Sequence, residues 1–329
     1  MSPMREAVAR LASPMDTIAA YHFGWIDRHG CPVSGDGGKA LRPALALLSA
    51  QAVGSGAEPG VPGAVAVELV HNFSLLHDDV MDGDETRRHR ATAWTVFGAA
   101  QAILAGDALL ALATEVLLDA PHGSTASAAA ARAIRRITTA TRQLIDGQAQ
   151  DLAFEQHDRV TVAECLEMEG NKTGALLAAS CSIGAVLAGA DDRTADALGR
   201  YGHDLGLAFQ AVDDLLGIWG DTEVTGKPRW GDLRRRKKSL PVAAALAEDG
   251  PASRRLAELL ADPQVRDDED QQLAVRADLI EQAGGRAWTR DEARRRHTSA
   301  LAALDEVPMS DQIREYFVTL AEFVVVRER

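Results

Sequence analysis

Helical spacing of apolar residues is the feature that most limits how this chain can fold. Alanine and leucine recur at intervals of three and four residues in almost every segment between turn signals, and no stretch shows sustained alternation. Turn signals divide the chain into about ten predicted helices, and Thr161 with Glu164 predicts a capping box at one helix start. No connecting segment is long or polar enough to separate domains. We therefore predict an all-α fold in which residues 1–329 form a single domain.

Charge and cysteine content argue against several classes of protein. The chain has 35 Lys and Arg against 48 Asp and Glu, a net charge of -13, so a general attraction to nucleic acid or anionic membranes is not expected. The three cysteines, Cys31, Cys165 and Cys181, are too few and too scattered for a disulfide framework or a zinc site. The amino terminus lacks the apolar stretch of a signal peptide, and the longest apolar run, Gly174 to Ala190, is short for a membrane span. We predict a cytoplasmic protein without a nucleic-acid partner or a stable membrane anchor.

One predicted helix ends in closely spaced carboxylates. The segment LLHDDVMD contains what we call the acidic helix end, formed by Asp78, Asp79 and Asp82. Helical spacing places these side chains on one arc, where each like-charge pair costs about 0.2–0.5 kcal/mol. One interpretation is a solvated helix end whose partners are Arg87 and Arg88. The preceding turns are apolar on nearly every side, however, which is typical of a buried helix and favours a cavity with a counterion.

The surrounding residues favour magnesium and diphosphate as occupants of that cavity. Oxygen ligands without His or Cys partners suit magnesium, and His77 has no second histidine at the spacing of a zinc site. A second acidic pair, Asp213 and Asp214, follows another apolar helix. The chain also supplies clustered cations that can hold phosphate oxygens, namely Lys39, Arg42, Arg87, Arg88, Lys172, Lys227 and Lys237. The pattern indicates a diphosphate held by magnesium.

An ordered set of motifs resembles the trans-isoprenyl diphosphate synthases, or polyprenyl synthetases. The motifs are GGKALRP (37–43), HNFSLLHDDVMD (71–82), RRHRATAW (87–94), GQAQD (147–151), KTG (172–174), FQAVDDLLGIWGD (209–221), TGK (225–227) and DLRRRKKSLP (232–241). The resemblance implies the isoprenoid synthase fold, a helical bundle around a deep central cavity that two acidic helix ends face. It also implies a homodimer.

The resemblance further implies a reaction and a role for each matched residue. An allylic diphosphate (dimethylallyl, geranyl or farnesyl) is joined to isopentenyl diphosphate, with three magnesium ions per active site. The implied magnesium ligands are Asp78, Asp79, Asp82, Asp213 and Asp214. The implied clamp on the allylic diphosphate is Arg87, Lys172 and Lys227, and Thr173 and Gln210 lie near the developing allylic cation. The implied seat for isopentenyl diphosphate is Lys39, Arg42, His71 and Arg88, and Lys237 completes the pocket.

The second acidic group departs from the family pattern. Gly217 stands where a third aspartate is usual, four residues after Asp213. This departure leaves two alternatives open: a class I terpene cyclase on the same fold, and a non-catalytic subunit of a prenyl synthase heteromer. The implied isopentenyl diphosphate seat argues against the cyclase, and the intact first motif and lysines argue against the subunit.

Two residues before the acidic helix end bear on product length. Phe73, fifth before Asp78, is aromatic, whereas Ser74, fourth before it, is small. No residue is inserted between the paired aspartates and Asp82. This arrangement is most similar to the geranylgeranyl diphosphate synthases, so we predict a C20 product.

Overall fold

The computed structural model describes residues 2–33, 40–120, 126–157, 159–220, 229–261 and 270–325. Within these ranges the helices are α1 (Pro3–Val8), α2 (Met15–His22), α3 (Leu41–Ala52), α4 (Val61–Met81), α5 (Ala93–Phe97), α6 (Ala99–Leu118), α7 (Ala126–Phe154), α8 (Val162–Glu169), α9 (Ala175–Leu187), α10 (Asp192–Trp219), α11 (Gly231–Arg234), α12 (Leu240–Ala247), α13 (Pro251–Ala261), α14 (Asp270–Gln282), α15 (Gly285–Ala303) and α16 (Asp311–Val325). The all-α prediction is confirmed. There are more helices than expected, because helices as short as α1 and α11 contain too few residues for a repeating pattern.

A small hairpin interrupts the helices in the described residues, and the sequence did not predict it. Strand β1 (Thr86–Arg87) pairs antiparallel with β2 (Arg90–Ala91). Arg88 and His89 form the turn with φ of 50° and 60°, the left-handed conformation that two-residue hairpins require. Two-residue strands are too short to show alternation, which explains the missed prediction. The hairpin places Arg87 and Arg88 directly after the acidic helix end.

The chain divides into two compact units. The first comprises Met1–Thr139 and Ala179–Asp196, and the second Ala140–Ala178 and Ala197–Arg329. The prediction of a single domain is not tested by this division and stays a prediction. Each unit has its own core and contains some of the predicted site residues.

In the first unit, α4 is the central helix and packs against α3 and α6. Its buried side chains include Val67, Leu69, Phe73 and Leu76, as expected for a helix that is apolar nearly all round. The segment after residue 178 packs closely on α3. The close approach is seen at Gly184, where a Cβ would lie 1.8 Å from the carbonyl oxygen of Ala46. This packing holds the helix that ends at the aspartates in a dense apolar environment.

In the second unit, apolar side chains of α8, α10, α12 and α15 form one core cluster that includes Met168, Val212 and Leu240. A second cluster, including Ile218 and Leu273, joins α10 to α14. The predicted capping box is confirmed: the Thr161 hydroxyl accepts a hydrogen bond from the Glu164 amide, and the Glu164 carboxylate accepts one from the Thr161 amide. This cap fixes the start of α8, which leads to Lys172.

One described helix, α6, is long and apolar enough by length and composition to cross a membrane, and 39% of its most apolar window is buried within the protein. Length and composition alone are weak evidence for a span, because core helices of globular proteins pass the same test. Its exposed apolar side chains include Ile103, Leu104 and Leu118.

Candidate active site

The acidic helix end lies at the carboxyl terminus of α4, where the helix dipole already carries partial negative charge. Asp79 is only 1% exposed, and its Oδ1 accepts a hydrogen bond from Nε of Arg87 at 2.7 Å. Its Oδ2 is buried and has no hydrogen-bond partner among the described residues. Burial raises the pKa of the Asp79 carboxyl, and Arg87 partly offsets this. The Arg87 pairing expected for a solvated helix end is therefore present, but Asp79 is not solvated.

These carboxylates fit magnesium. In the described part of the chain, no three His, Cys, Asp or Glu side chains converge closely enough to enclose an ion by themselves. Magnesium does not need such a cage, because it usually takes one or two carboxylates and completes its octahedron with water and substrate phosphates. The buried Oδ2 of Asp79 is a suitable hard oxygen ligand, and Asp78 and Asp82 are both accessible to solvent.

A cavity of about 490 Å³ opens beside the acidic helix end, within the first unit. Its lining comprises Tyr21, His22, Phe23, Gly24, Leu75, Asp79 and residues 87–93. Arg90 is occupied by structural contacts, since its guanidinium donates to the carbonyl oxygens of Tyr21 at 3.3 Å and Ile26 at 2.9 Å. The hairpin thus adds Arg87 and Arg88 to the wall of a cavity that also contains Asp79.

Arg42 and His71 are brought together as the sequence predicted, with Nη1 of Arg42 3.3 Å from Nε2 of His71. Burial lowers the pKa of the Arg42 guanidinium, while Glu68 opposes this effect, and Nε of Arg42 is buried without a partner among the described residues. Burial also lowers the pKa of His71 well below its usual value, and the charges of Arg42 and Arg88 lower it further. We call Arg42, His71, Arg87 and Arg88 the cationic cluster. A buried guanidinium N–H without a partner, as at Arg42, favours an anion with several oxygens.

His22 is a cavity residue that the sequence analysis missed. Burial lowers its pKa to about 3, and the charges of Arg87 and Arg88 contribute in the same direction. His22 follows the buried Ile18 by four residues and therefore shares its helix face, which is the signal that could have identified it. It places a neutral polar ring among the arginines.

The two chain-length residues lie inside the first unit. Phe73 and Ser74 are both buried, and the Ser74 hydroxyl donates to the carbonyl oxygen of His71 at 2.9 Å. The Phe73 ring packs edge-on against His77, with ring centroids 4.9 Å apart. His77 in turn contacts Gly106 on α6, where a Cβ would lie 2.5 Å from the imidazole ring. Phe73 is therefore held firmly in a packed layer one turn before the acidic helix end.

In the second unit, Lys172 lies on a single π-helical turn, Gly170–Gly174. Its Nζ is 2.6 Å from Oδ2 of Asp151. Gly147 on α7 allows this turn to approach, because a Cβ there would lie 2.4 Å from the Lys172 amide nitrogen. The GQAQD motif therefore has two structural roles: a glycine for close contact and a carboxylate that holds the lysine. The sequence did not predict the π turn, which is often found at functional sites.

The side chains of the second acidic group form a connected network. The Thr173 hydroxyl donates to Oε1 of Gln210 at 3.3 Å, and Nε2 of Gln210 donates to Oδ1 of Asp214 at 3.2 Å. Asp214 is fully buried, and it also accepts from Nζ of Lys237 at 2.8 Å and from the Leu240 amide at 2.9 Å. Burial alone would raise the pKa of Asp214, but Lys237 and these hydrogen bonds hold it below its usual value. Both Asp214 oxygens thus have protein partners, and its ligation of magnesium stays a prediction.

Glu169 is a further residue that the sequence analysis missed. It is buried at the end of α8 near the Asp214 carboxylate, and its Oε2 has no hydrogen-bond partner among the described residues. Burial, and then the charge of Asp214, raise the pKa of Glu169 well above its usual value. The signal in the sequence is its position four residues after the buried Cys165, on the same helix face. Lys39 and Lys227, both predicted site residues, lie outside the described residues.

Comparison with known proteins gives one consistent family. The polyprenyl synthetase family model matches residues 25–277. The (2E,6E)-farnesyl diphosphate synthase of Mycobacterium tuberculosis (strain ATCC 25618 / H37Rv) is 49% identical over 328 residues, covering 99% of this chain and 89% of that protein. The geranylgeranyl diphosphate synthase of the same strain is 43% identical over 325 residues, covering 99% and 90%. The crystal structure of the polyprenyl synthetase from Streptomyces coelicolor A3(2) is 66% identical with a TM-score of 0.92, covering 98% of this chain and 95% of that one.

These matches extend over nearly the whole chain and include the acidic helix end, the cationic cluster and the network around Asp214. Apart from His22 and Glu169, the site residues that the geometry brings together in each unit lie in the motifs described above. The chain therefore belongs to the polyprenyl synthetase family, the trans-isoprenyl diphosphate synthases, and is a prenyltransferase with the all-α isoprenoid synthase fold.

Proposed function

We propose that this enzyme extends an allylic diphosphate with isopentenyl diphosphate in a magnesium-dependent reaction, and that its product is C20 geranylgeranyl diphosphate. The observation that carries the reaction is a cavity lined by Arg87, Arg88 and Asp79, whose buried Oδ2 has no hydrogen-bond partner among the described residues. Cations and a hard carboxylate ligand in one cavity match the two needs of a magnesium diphosphate. A family that uses isopentenyl and allylic diphosphates supports the choice of substrates.

The residues of the first unit act by binding and charge neutralisation. Arg42, His71 and Arg88 hold the diphosphate of isopentenyl diphosphate. Asp78, Asp79 and Asp82 hold magnesium for the allylic diphosphate, and bound magnesium would stabilise the departing diphosphate as its C–O bond breaks. The fixed charges need little rearrangement during the reaction, since burial and packing already hold Arg42 and Asp79 in place.

The residues of the second unit act through the network around Asp214. Lys172, held by Asp151, binds a diphosphate oxygen, and Asp213 binds magnesium. The Thr173 hydroxyl and the Gln210 amide present oxygen atoms that stabilise positive charge on the allylic carbon. Because the diphosphate that leaves can accept the final proton, no side chain has to act as a general base.

The proposed product length rests on Phe73 and Ser74. The Phe73 ring, packed on His77, would block further growth of the prenyl chain, whereas the small side chain of Ser74 leaves room beside it. Relatives of this chain include both farnesyl and geranylgeranyl synthases, so the family alone does not choose between C15 and C20.

The test supplies magnesium with dimethylallyl, geranyl or farnesyl diphosphate, first alone and then with isopentenyl diphosphate, and identifies the prenyl products by mass spectrometry. We expect elongation only in the second step, ending at C20. Hydrocarbon from an allylic diphosphate alone would indicate a cyclase, and no product in either step would indicate a non-catalytic subunit. A product that stops at C15 or extends well beyond C20 would disprove the assigned length.

Two variants test the floor directly. Phe73→Ala should lengthen the product, because it removes the ring below the chain, and Ser74→Phe should shorten it toward C15. Unchanged product lengths in both folded variants would refute this assignment.

We also propose that the enzyme is a cytoplasmic homodimer, with about three magnesium ions per active site as in the family mechanism. Exposed apolar side chains on α6, among them Ile103, Leu104 and Leu118, support an interface with a second copy. Light scattering should show a dimer, and Leu104→Asp should shift it toward the monomer. A monomeric wild type would disprove the dimer.

A further inference from the structure

His77 lies on α4 directly before the acidic helix end, and its side chain faces α6. Nε2 of His77 donates a hydrogen bond to the carbonyl oxygen of Ile103 at 3.0 Å, and the same atom is 3.6 Å from Oδ1 of Asp107. The imidazole ring also rests on Gly106, where a Cβ would lie 2.5 Å from both Cδ2 and Nε2 of the ring. Because Gly106 has no side chain, the backbone of α6 can hold the His77 ring at close range.

The ring of His77 holds the Phe73 side chain in turn. Phe73 lies four residues before His77, about one helical turn, so the two side chains share a face of α4. Their rings meet at an interplanar angle of 70°, the edge-to-face arrangement that aromatic pairs prefer. A phenylalanine on a helix has two common χ1 rotamers, and this contact favours one of them. The orientation of the Phe73 ring therefore depends on a glycine of another helix.

We propose that Gly106 and His77 are positioning residues that determine product specificity through Phe73. This inference rests on the product length proposed above, in which the Phe73 ring ends growth of the prenyl chain. A ring that is held in one orientation ends growth at one length, whereas a ring that can rotate about χ1 lets some chains pass. On this account, the contact between α4 and α6 keeps the product to a single chain length.

Two single variants perturb the contact from opposite sides. His77→Ala removes the ring that packs on Phe73. Gly106→Ala leaves the sequence of α4 unchanged, and its methyl group displaces the His77 ring by about 1 Å, since non-bonded heavy atoms normally stay about 3.5 Å apart. Each change is made both in the wild type and in Phe73→Ala. The enzyme is supplied with magnesium, farnesyl diphosphate and isopentenyl diphosphate, and mass spectrometry gives the ratio of products longer than C20 to C20 itself.

In the wild-type background we expect both changes to raise this ratio, about threefold to tenfold for His77→Ala, which is the range that an aromatic pair contact supplies. In the Phe73→Ala background neither change should alter the ratio further, because the side chain through which they act is gone. The ratio compares products of one reaction, so a general loss of rate does not by itself change it. Either variant, if it folds, is sufficient for the test.

Leu117→Ala is the control for a general loosening of α6. Leu117 is fully buried and lies eleven residues after Gly106, about three helical turns away. Its truncation should lower the unfolding temperature and leave the product ratio unchanged. An equal shift in Leu117→Ala, an unchanged ratio in folded His77→Ala or Gly106→Ala, or the same shift in the Phe73→Ala background would each overturn this inference alone. No elongation by the wild type would instead overturn the proposed function, and no lengthening by Phe73→Ala would overturn the proposed basis of product length.

Discussion

Replacing Gly147 by alanine tests whether the contact between α7 and the π turn positions Lys172. The added methyl group would lie 2.4 Å from the Lys172 amide nitrogen and 2.8 Å from its Cα. Non-bonded heavy atoms normally stay about 3.5 Å apart, so the turn has to move by about 1 Å. That movement displaces Lys172 from Asp151, whose Oδ2 is 2.6 Å from its Nζ.

The expected consequence of Gly147→Ala is mainly catalytic. A misplacement of about 1 Å can lower the rate about 100-fold, which corresponds to about 2.7 kcal/mol of transition-state stabilisation. Overpacking should also lower the free energy of unfolding by about 1–3 kcal/mol. Steady-state kinetics with varied allylic diphosphate give kcat/KM, and urea unfolding gives the stability change.

Gly199→Ala on α10 is the matched control. A Cβ at this position has one neighbour within 4 Å, the carbonyl oxygen of Ala178 at 3.9 Å, so the methyl group fits. The control should retain wild-type kcat/KM and gain about 0.4–1 kcal/mol of stability. If Gly147→Ala keeps the same kcat/KM as the control, the contact does not position Lys172 and the reasoning fails.

Three further predictions concern buried charges. Burial raises the folded-state pKa of Asp79, so the stability that this carboxyl contributes falls as pH rises above its usual pKa of 3.8. Asp79→Asn should therefore lose activity and magnesium binding while its unfolding temperature at pH 7 stays the same or rises by about 2 °C; a large fall would contradict this. Lys237→Met leaves the buried Asp214 carboxylate without its cation and should lower the free energy of unfolding by about 3 kcal/mol in urea, and adding Asp214→Asn should recover part of the loss. Equal stability of wild type and the single variant would argue against this pair. Asp204 has a pKa lowered to about 2, because the nearby His203 and the hydrogen bonds from Ser299 and Arg296 outweigh the effect of burial. Its stabilisation, about 2 kcal/mol, is present above pH 3.8 and lost as pH falls through about 2, so urea unfolding of Asp204→Asn should show a smaller loss over that interval; an unchanged pH profile would refute the assignment.

Local sequence signals were sufficient for several features of the fold and site. The capping box at Thr161 involves two residues three apart, so its chemistry is visible without tertiary information. Arg42 and His71 were placed together by the motif resemblance, and the structure brings them into contact. The acidic helix end was identified because the helical turns before it are apolar and predicted burial, and Asp79 is indeed buried.

Other features depend on contacts between distant parts of the chain. Glu169 resembles an ordinary surface glutamate in the sequence, and only the fold shows that it is buried near Asp214. The π turn carrying Lys172 depends on the close approach of Gly147, more than twenty residues earlier in the chain. The contact between Gly217 and the Asp232 carboxylate follows from helix packing and not from spacing along one helix. Spacing along the sequence predicts which side chains share a face of one helix, whereas these contacts join residues on different helices.

The cationic cluster has a consequence for the kinetics of ligand capture. The chain carries a net charge of -13, yet its arginines at this cavity attract anions. A diphosphate at long range therefore meets repulsion from the whole molecule, and attraction takes over only near the cavity. Salt shortens the Debye length from about 30 Å at 0.01 M to about 8 Å at 0.15 M, which screens the long-range repulsion more than the short-range attraction at the cavity. We expect moderate ionic strength to accelerate association, the opposite of the slowing that salt causes when a protein steers its ligand by overall charge.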